Sequence, residues 1–400
     1  MTLSRRTALK LAAGAGAAAL LPGPTLRAAA APSPTRFDPW VEVDPAALRH
    51  NVEVVARLAG GRPILAVIKN NAYGLGLREV AGVLEPLPAV AGFAVVKAEA
   101  ALALRAAGVR KPVVLMALFD DDAGAELVAR GVELALTTDD GVARARRAGA
   151  GGGRAARVHV YLDTGMGRMG VPWHRAGPWL RDVGTAGLDV AGTFTAFTEN
   201  AEFDREQLHR FRTVCAEARA EGVGLGALHA ASSNGVFHLP DAHLDQVRPG
   251  IALFGAYPSD WTAERAIATL VPAVRLRARV VRVERLRAGD SVSYGRNYVA
   301  RRPTWIATIP AGHTDGVPRQ AVEGMRVLVG DRTYPVIGAV SASHTILEIG
   351  DEPTVAVGDV ATLLGPDRPK LHPNAIAAAT GRSVYDVLMH LSPSLPRILV

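Results

Sequence analysis

Between residues 40 and 255, short apolar runs alternate with Ala-, Leu- and Arg-rich stretches, and the cycle repeats eight times. The runs are Ile64–Lys69, Phe93–Val96, Val113–Leu118, Leu134–Thr138, Val158–Asp163, Val190–Ala196, Ala227–Ala231 and Val247–Ala252. Each is almost continuously apolar, as a strand covered on both faces must be. Helical stretches lie between them, among them Ala46–Leu58, Leu77–Leu84, Ala98–Ala107, Ala123–Arg130 and Gly141–Ala148. Eight strand–helix units in this length predict a closed (β/α)8 barrel. The rival, a doubly wound open sheet, calls for a GxGxxG turn after an early strand, and that turn is missing.

The period changes after Ala268. Val274, Leu276, Ala278 and Val280 alternate with Arg275, Arg277 and Arg279, the period-two signature of a half-buried antiparallel strand. Trp305–Pro310, Met325–Val329, Tyr334–Val340 and Val355–Leu364 continue in that style, and Ala375 to Leu391 reads as helical. The predicted architecture is therefore α/β: a TIM barrel over residues 40–268, then a mainly β C-terminal domain over 269–400.

Residues 1–31 read as an export signal. Arg5, Arg6 and Lys10 precede the apolar stretch Leu11 to Leu21, and Ala28 to Ala31 offer small residues for cleavage. The arginine pair favours a twin-arginine signal over a general secretory one. Residues 32–39 then form a linker. The expected location is the periplasm or the extracellular space, with no stable membrane span, because the apolar run is too short to cross a bilayer. The net charge of +7 owes four cations to this segment, so nucleic-acid binding is not expected. Cys215 is the only cysteine, which excludes an internal disulfide and a thiolate metal site. No His-Glu-x-x-His pattern occurs, so no metal is expected, and His229 and His243 read as loop or core histidines.

Five stretches carry candidate chemistry. Ala66-Val67-Ile68-Lys69-Asn70-Asn71-Ala72-Tyr73-Gly74 delivers a lysine to a strand's C-terminal end, where α/β folds keep their chemistry. A lysine amine is also the usual attachment point for a carbonyl cofactor. Asp163-Thr164-Gly165-Met166-Gly167-Arg168-Met169-Gly170 places an arginine in a glycine-rich turn suited to an anion. His229-Ala230-Ala231-Ser232-Ser233-Asn234 and Gln246-Val247-Arg248-Pro249-Gly250-Ile251 end the seventh strand and contain the eighth, where barrels frequently bind phosphate. Val292-Ser293-Tyr294-Gly295 lies in the β domain.

In this order the motifs resemble those of alanine racemases, and the resemblance covers nearly all of residues 40–400. It implies a pyridoxal 5'-phosphate enzyme that interconverts L- and D-alanine or other small amino acids by two-base α-proton transfer. By resemblance Lys69 attaches the cofactor and is one catalytic base. Tyr73, Ser233 and the backbone of Gly250 and Ile251 bind its phosphate, and Arg248 faces its pyridine nitrogen. Arg168 contacts cofactor and substrate. Tyr294 is the opposite-face base supplied by a second subunit, so a homodimer with shared sites is implied. Ala342 falls at a substrate-facing position of the partner.

Several positions depart from the family. A stacking histidine becomes Ala196, and a lysine seven residues before the arginine becomes Tyr161. The partner's Cys-Met-Asp stretch becomes Ser341-Ala342-Ser343, an entrance tyrosine becomes His313, and a C-terminal phosphate-binding tyrosine becomes Pro393. These changes surround the substrate and motivate two alternatives: a lyase or aldolase acting on D-amino acids, or a non-catalytic amino-acid or cofactor binder.

Overall fold

A computed structural model describes residues 37–265 and 267–400; the predicted export signal and most of the predicted linker lie outside them. Seven parallel strands form most of a barrel: Ile64–Val67, Val90–Val95, Val113–Leu115, Glu133–Leu136, Arg157–Asp163, Asp189–Phe194 and Ala227–His229. The eighth stave is the stretch 247–249. Val247 bridges Ile64 and Arg248 bridges Ser232 in parallel fashion. The amides of Leu65 and Val67 donate to the carbonyls of Val247 and Pro249, both at 2.9 Å. The predicted strand Val247–Ala252 thus survives only in its first residues, because Ile251–Phe254 coils into a 3-10 turn.

The barrel interior is divided. Leu65, Ala94 and Val114 fill one side with apolar contacts. The opposite side holds Ala135, Tyr161 and Phe194, and with them the buried polar residues Glu133, His159, His229 and Arg248. Outside, the first helix, Pro45–Leu58, starts where the Asp44 carboxylate accepts the amides of Ala46 and Ala47. With Pro45 in its first turn, this is a well-specified N-terminus.

The second domain is a nine-stranded sheet, mostly antiparallel. Val274–Arg279 alternates buried and half-buried residues along its length, as its period-two pattern predicts. The strand Trp40–Val43 belongs to this sheet and not to the barrel domain that the sequence reading begins at residue 40. It lies antiparallel to Val274–Arg279 and parallel to Arg397–Leu399. The predicted C-terminal helix is two helices, Pro373–Thr380 and Val384–Met389, because Gly381 takes a left-handed φ of 61° between them. No helix among the described residues is long and apolar enough to cross a membrane.

Candidate active site

The strand that opens the barrel stops at Val67, two residues before the lysine expected at its end. From there the chain turns with the wrong hand. Asn70, Asn71, Ala72 and Tyr73 all have φ between 52° and 55°. Left-handed backbone costs about 1–2 kcal/mol per non-glycine residue, so four in succession must be held by their surroundings. The Asn71 side chain accepts the Leu77 amide at 2.8 Å. The Gly74 carbonyl accepts from Nε (3.3 Å) and Nη2 (2.8 Å) of buried Arg397. Gly74 itself sits at φ 88°, and a Cβ there would stand 2.3 Å from the Leu388 carbonyl oxygen. The turn is thereby clamped between barrel and C-terminus, and it fixes the directions in which Lys69 and Tyr73 leave the backbone.

Lys69 is half-buried at the barrel mouth. Burial lowers its pKa, the Arg168 guanidinium lowers it further, and the Glu199 carboxylate opposes both. An amine in that setting is more readily deprotonated, as a base or a carbonyl-condensing group requires. Tyr73 is buried, and burial pushes its hydroxyl far above the phenol range. It works here as a neutral hydrogen-bonding group.

Beside Tyr73 lies a tight cradle. The Ser233 hydroxyl accepts the amides of Gly250 (2.9 Å) and Ala252 (3.2 Å). A Cβ on Gly250 would come within 2.2 Å of the Tyr73 hydroxyl oxygen, so only glycine fits. Ile251 is fully buried between them in sequence. Backbone amides, a serine hydroxyl and a phenol meeting at a barrel's C-terminal end form the donor set that a phosphate monoester takes.

Arg248 is buried deeper, and burial lowers its pKa to about 10, which leaves it protonated near neutrality. Nη1 donates to His229 Nδ1 (2.9 Å) and the His229 carbonyl (2.6 Å), and Nη2 to the carbonyls of Thr195 (2.6 Å) and Ala230 (3.2 Å). A guanidinium has five donors, so only Nε–H lacks a protein partner among the described residues. The guanidinium also lies 5.1 Å over the Phe194 ring. Phe194 stacks on Tyr161 at 4.4 Å.

Arg168 is exposed at the mouth, on a loop that the Asp163 carboxylate shapes by accepting the amides of Gly165 and Gly167. Burial raises the Tyr161 phenol, and the Arg168 charge beside it pulls the other way, partly through a side-chain hydrogen bond. Tyr161 therefore occupies the position from which Arg168 is steadied. Ala196 is half-buried against the Tyr161–Phe194 pair.

The remaining predicted residues are elsewhere. Tyr294 lies in a short turn of the β domain with 76% of its surface exposed, so its hydroxyl points into solvent and not toward Lys69 of its own chain. Ala342 is exposed on the same domain, its carbonyl accepting the amide (3.1 Å) and hydroxyl (2.7 Å) of Thr314. His313 contacts Arg319 at 2.8 Å. The site thus divides into a buried half that one chain completes and an exposed half distributed over the β domain.

The family profile described as alanine racemase, N-terminal domain, matches residues 43–258, and that of the C-terminal domain matches 273–399. The chain belongs to the alanine racemase family. An alanine racemase of Carboxydothermus hydrogenoformans is 33% identical over 374 residues, covering 90% of this chain and 99% of the relative. Another, from Syntrophobacter fumaroxidans, is 36% identical over 332 residues, covering 82% and 88%. The crystal structure of alanine racemase from the D-cycloserine producer Streptomyces lavendulae superposes with a TM-score of 0.83 at 30% identity, covering 92% of this chain and 98% of that one. Alanine racemases are pyridoxal-phosphate-dependent isomerases, and the cradle beside Lys69 has the donors that this cofactor's phosphate needs.

Four residues in and around the site are not singled out from the sequence. Arg397 reads as one of many arginines, although its place between Pro396 and an apolar end was a cue. Glu199 follows the sixth strand as an unremarkable polar residue, yet its charge is felt at Lys69, Tyr73 and Tyr385, and burial raises its own pKa. Glu133 and His159 carry a clear signal, because a charged or imidazole group inside a strand covered on both faces needs a partner.

Proposed function

We propose that this pyridoxal-phosphate-dependent amino-acid racemase works as a homodimer outside the cytoplasm, exchanging the α-proton of a small amino acid between Lys69 and the partner subunit's Tyr294. The observation that carries the reading is the meeting of the Lys69 amine, with its lowered pKa, and the Ser233–Gly250–Tyr73 cradle at one barrel end. The bound cofactor supplies an electron sink for the carbanion formed when the α-proton leaves. Lys69 holds or takes a proton on one face. Tyr73, Ser233 and the amides of Gly250 and Ile251 bind the phosphate. Arg248 would offer its remaining Nε–H to the cofactor's ring nitrogen as a donor that keeps its proton, which would limit charge delocalisation and suit a reversible proton exchange. Arg168 orients the substrate carboxylate by its charge.

The exposure of Tyr294 supports the dimer. A tyrosine 76% open to solvent has no role in its own chain's buried half, whereas a two-fold arrangement gives it one. Export rests on the sequence of residues 1–31. The substituted positions Ala196, Ser341 to Ser343 and His313 remove bulk around the substrate, and we assign the enzyme small amino acids that include side chains beyond alanine's methyl.

Complementation tests the shared site. Lys69→Ala and Tyr294→Phe chains are expected to be nearly inactive alone. Refolded together at equal concentration, half of the dimers are mixed and each mixed dimer has one intact site, so about a quarter of the wild-type racemisation should return. Polarimetry reads the recovery. No recovery would end the shared-site reading. Product formation without inversion would replace the racemase by a lyase, and cofactor uptake with no turnover of any amino acid would leave a binding protein.

A further inference from the structure

The polar side of the barrel interior holds a continuous line of side chains. Arg248 Nη1 meets His229 Nδ1 at 2.9 Å, His229 Nε2 meets His159 Nδ1 at 3.0 Å, and His159 Nε2 meets Glu133 Oε2 at 2.7 Å. The other Glu133 oxygen accepts from Arg157 Nε at 2.9 Å, and Arg157 also bonds Asp189 at 2.8 Å at the barrel's lower rim. Glu133, His159, His229 and Arg248 are all buried. We propose that Glu133 is a positioning residue: through His159 and His229 it fixes the proton arrangement that holds Arg248 with its Nε–H free at the upper end of the barrel.

The proton positions follow from donor chemistry. A guanidinium only donates, so His229 Nδ1 must present a lone pair, and its Nε2 must carry the hydrogen. That hydrogen faces His159 Nδ1, which must therefore also be a lone pair. His159 Nε2–H then needs an acceptor, and the Glu133 carboxylate provides it. Each imidazole is neutral, and the order cannot be reversed without setting two hydrogens against each other beside Arg248. The partner of one ring nitrogen sets the proton of the other, so the guanidinium at the top and the carboxylate at the bottom enforce the same arrangement, and without the carboxylate the His159 Nε2–H is left buried with no acceptor.

The charges around the line agree. Burial pushes the Glu133 carboxyl up, but the bond from His159 and the Arg157 guanidinium beside it outweigh that and hold it below its ordinary value. Burial, with Arg248 and His159 on either side, drives His229 well below the usual imidazole range. Arg105 is the other cation that senses Glu133.

Gly192 provides independent support. A Cβ there would lie 2.7 Å from His159 Nδ1 and 2.9 Å from His229 Nε2. The strand between the two histidines thus has no side chain at the one place where their nitrogens meet. A role for Glu133 confined to neutralising Arg157 at the rim would not require that gap.

The inference toward Arg248 rests on the racemase reading; the proton arrangement does not. The experiment is nitrogen NMR of 15N-histidine-labelled full-length protein, with and without pyridoxal phosphate, alongside absorbance titration of the cofactor. In the wild type, His159 and His229 are expected to show lone-pair Nδ1 and protonated Nε2. Glu133→Leu should mix the tautomers and raise the cofactor dissociation constant about tenfold. Glu133→Gln, whose carboxamide oxygen can accept the same bond, should keep both tautomers and stay within about twofold of wild type. A hydrogen on either Nδ1 in the wild type overturns the proposal, as does a Leu variant with wild-type tautomers and affinity. If the Leu variant does not fold, a Gln variant that loses affinity with its tautomers intact overturns it too. Wild-type protein with these tautomers that takes up no pyridoxal phosphate would sink the racemase reading and leave the relay standing.

Discussion

The two halves of the site are built to different standards. Ser233, Arg248, Gly250 and Ile251 are buried, and the polar groups among them are bonded within one chain, whereas Arg168, Tyr294 and Ala342 are exposed in that same chain. The departures from the family fall in both halves: Lys69, Tyr73, Ser233 and Arg248 keep their expected identities, but Tyr161 and Ala196 change within the barrel, as His313 and the Ser341 to Ser343 stretch do on the β domain. A phosphate and a ring nitrogen demand fixed donors in a dry place, and a single chain can prearrange those. A substrate that differs by its side chain demands a wall that can vary, and a wall built from exposed loops can change without disturbing the core.

The division can be broken from either side. Tyr294→Phe should lower kcat about 100-fold, because it removes one of two proton-handling groups, and should leave cofactor affinity within about twofold. Stopped-flow polarimetry and absorbance titration separate the two quantities, and a large loss of affinity would show that the exposed half also holds the cofactor. Gly250→Ala should do the converse. Its methyl would overlap the Tyr73 hydroxyl at 2.2 Å, so pyridoxal phosphate should bind about tenfold more weakly. Unchanged affinity would remove the cradle from the phosphate site.

The smallest effect is a pH dependence of stability in the cofactor-free protein. The pKa of Lys69 lies below its unfolded value of 10.5, so the unfolded chain binds more protons and the lysine costs stability. That cost is full below the folded pKa and fades as the pH rises from there toward 10.5. Lys69→Met should therefore melt higher than wild type at neutral pH, and the gap should narrow in alkaline buffer. A gap that widens with pH would contradict the lowered pKa.

The barrel was legible because strands covered on both faces leave unbroken apolar runs, and seven of the eight predicted runs overlap regular strands. The eighth was overextended, since the apolar stretch Ile251–Phe254 looks the same whether it runs straight or coils. Trp40–Val43 fell inside the range given to the barrel, with no strand expected there, because its partners lie more than 200 residues away and four residues carry no sign of which sheet will take them. The order of the motifs placed Lys69, Arg168, Ser233 and Arg248. The left-handed turn was only half visible: two asparagines tolerate that backbone, but Ala72 and Tyr73 give no hint of it, and the clamp from Arg397 acts across the whole chain. The Glu133–Arg248 line was invisible as a line, because its members sit on four staves and only barrel closure brings them into register.

The strand Trp40–Val43, held between Val274–Arg279 and Arg397–Leu399, has a consequence for how the molecule is made. On the ribosome both neighbours are made more than 200 residues after it. Until Leu399 has emerged, one edge of the earliest strand is bare, and the Gly74 carbonyl has no Arg397 to receive. A nascent chain can close its barrel, but it cannot lock the turn that aims Lys69. Competence for chemistry is thus postponed until Arg397–Leu399 have been made, and a product cut short after Pro396 would carry the site residues of the barrel without the brace that orients the first of them.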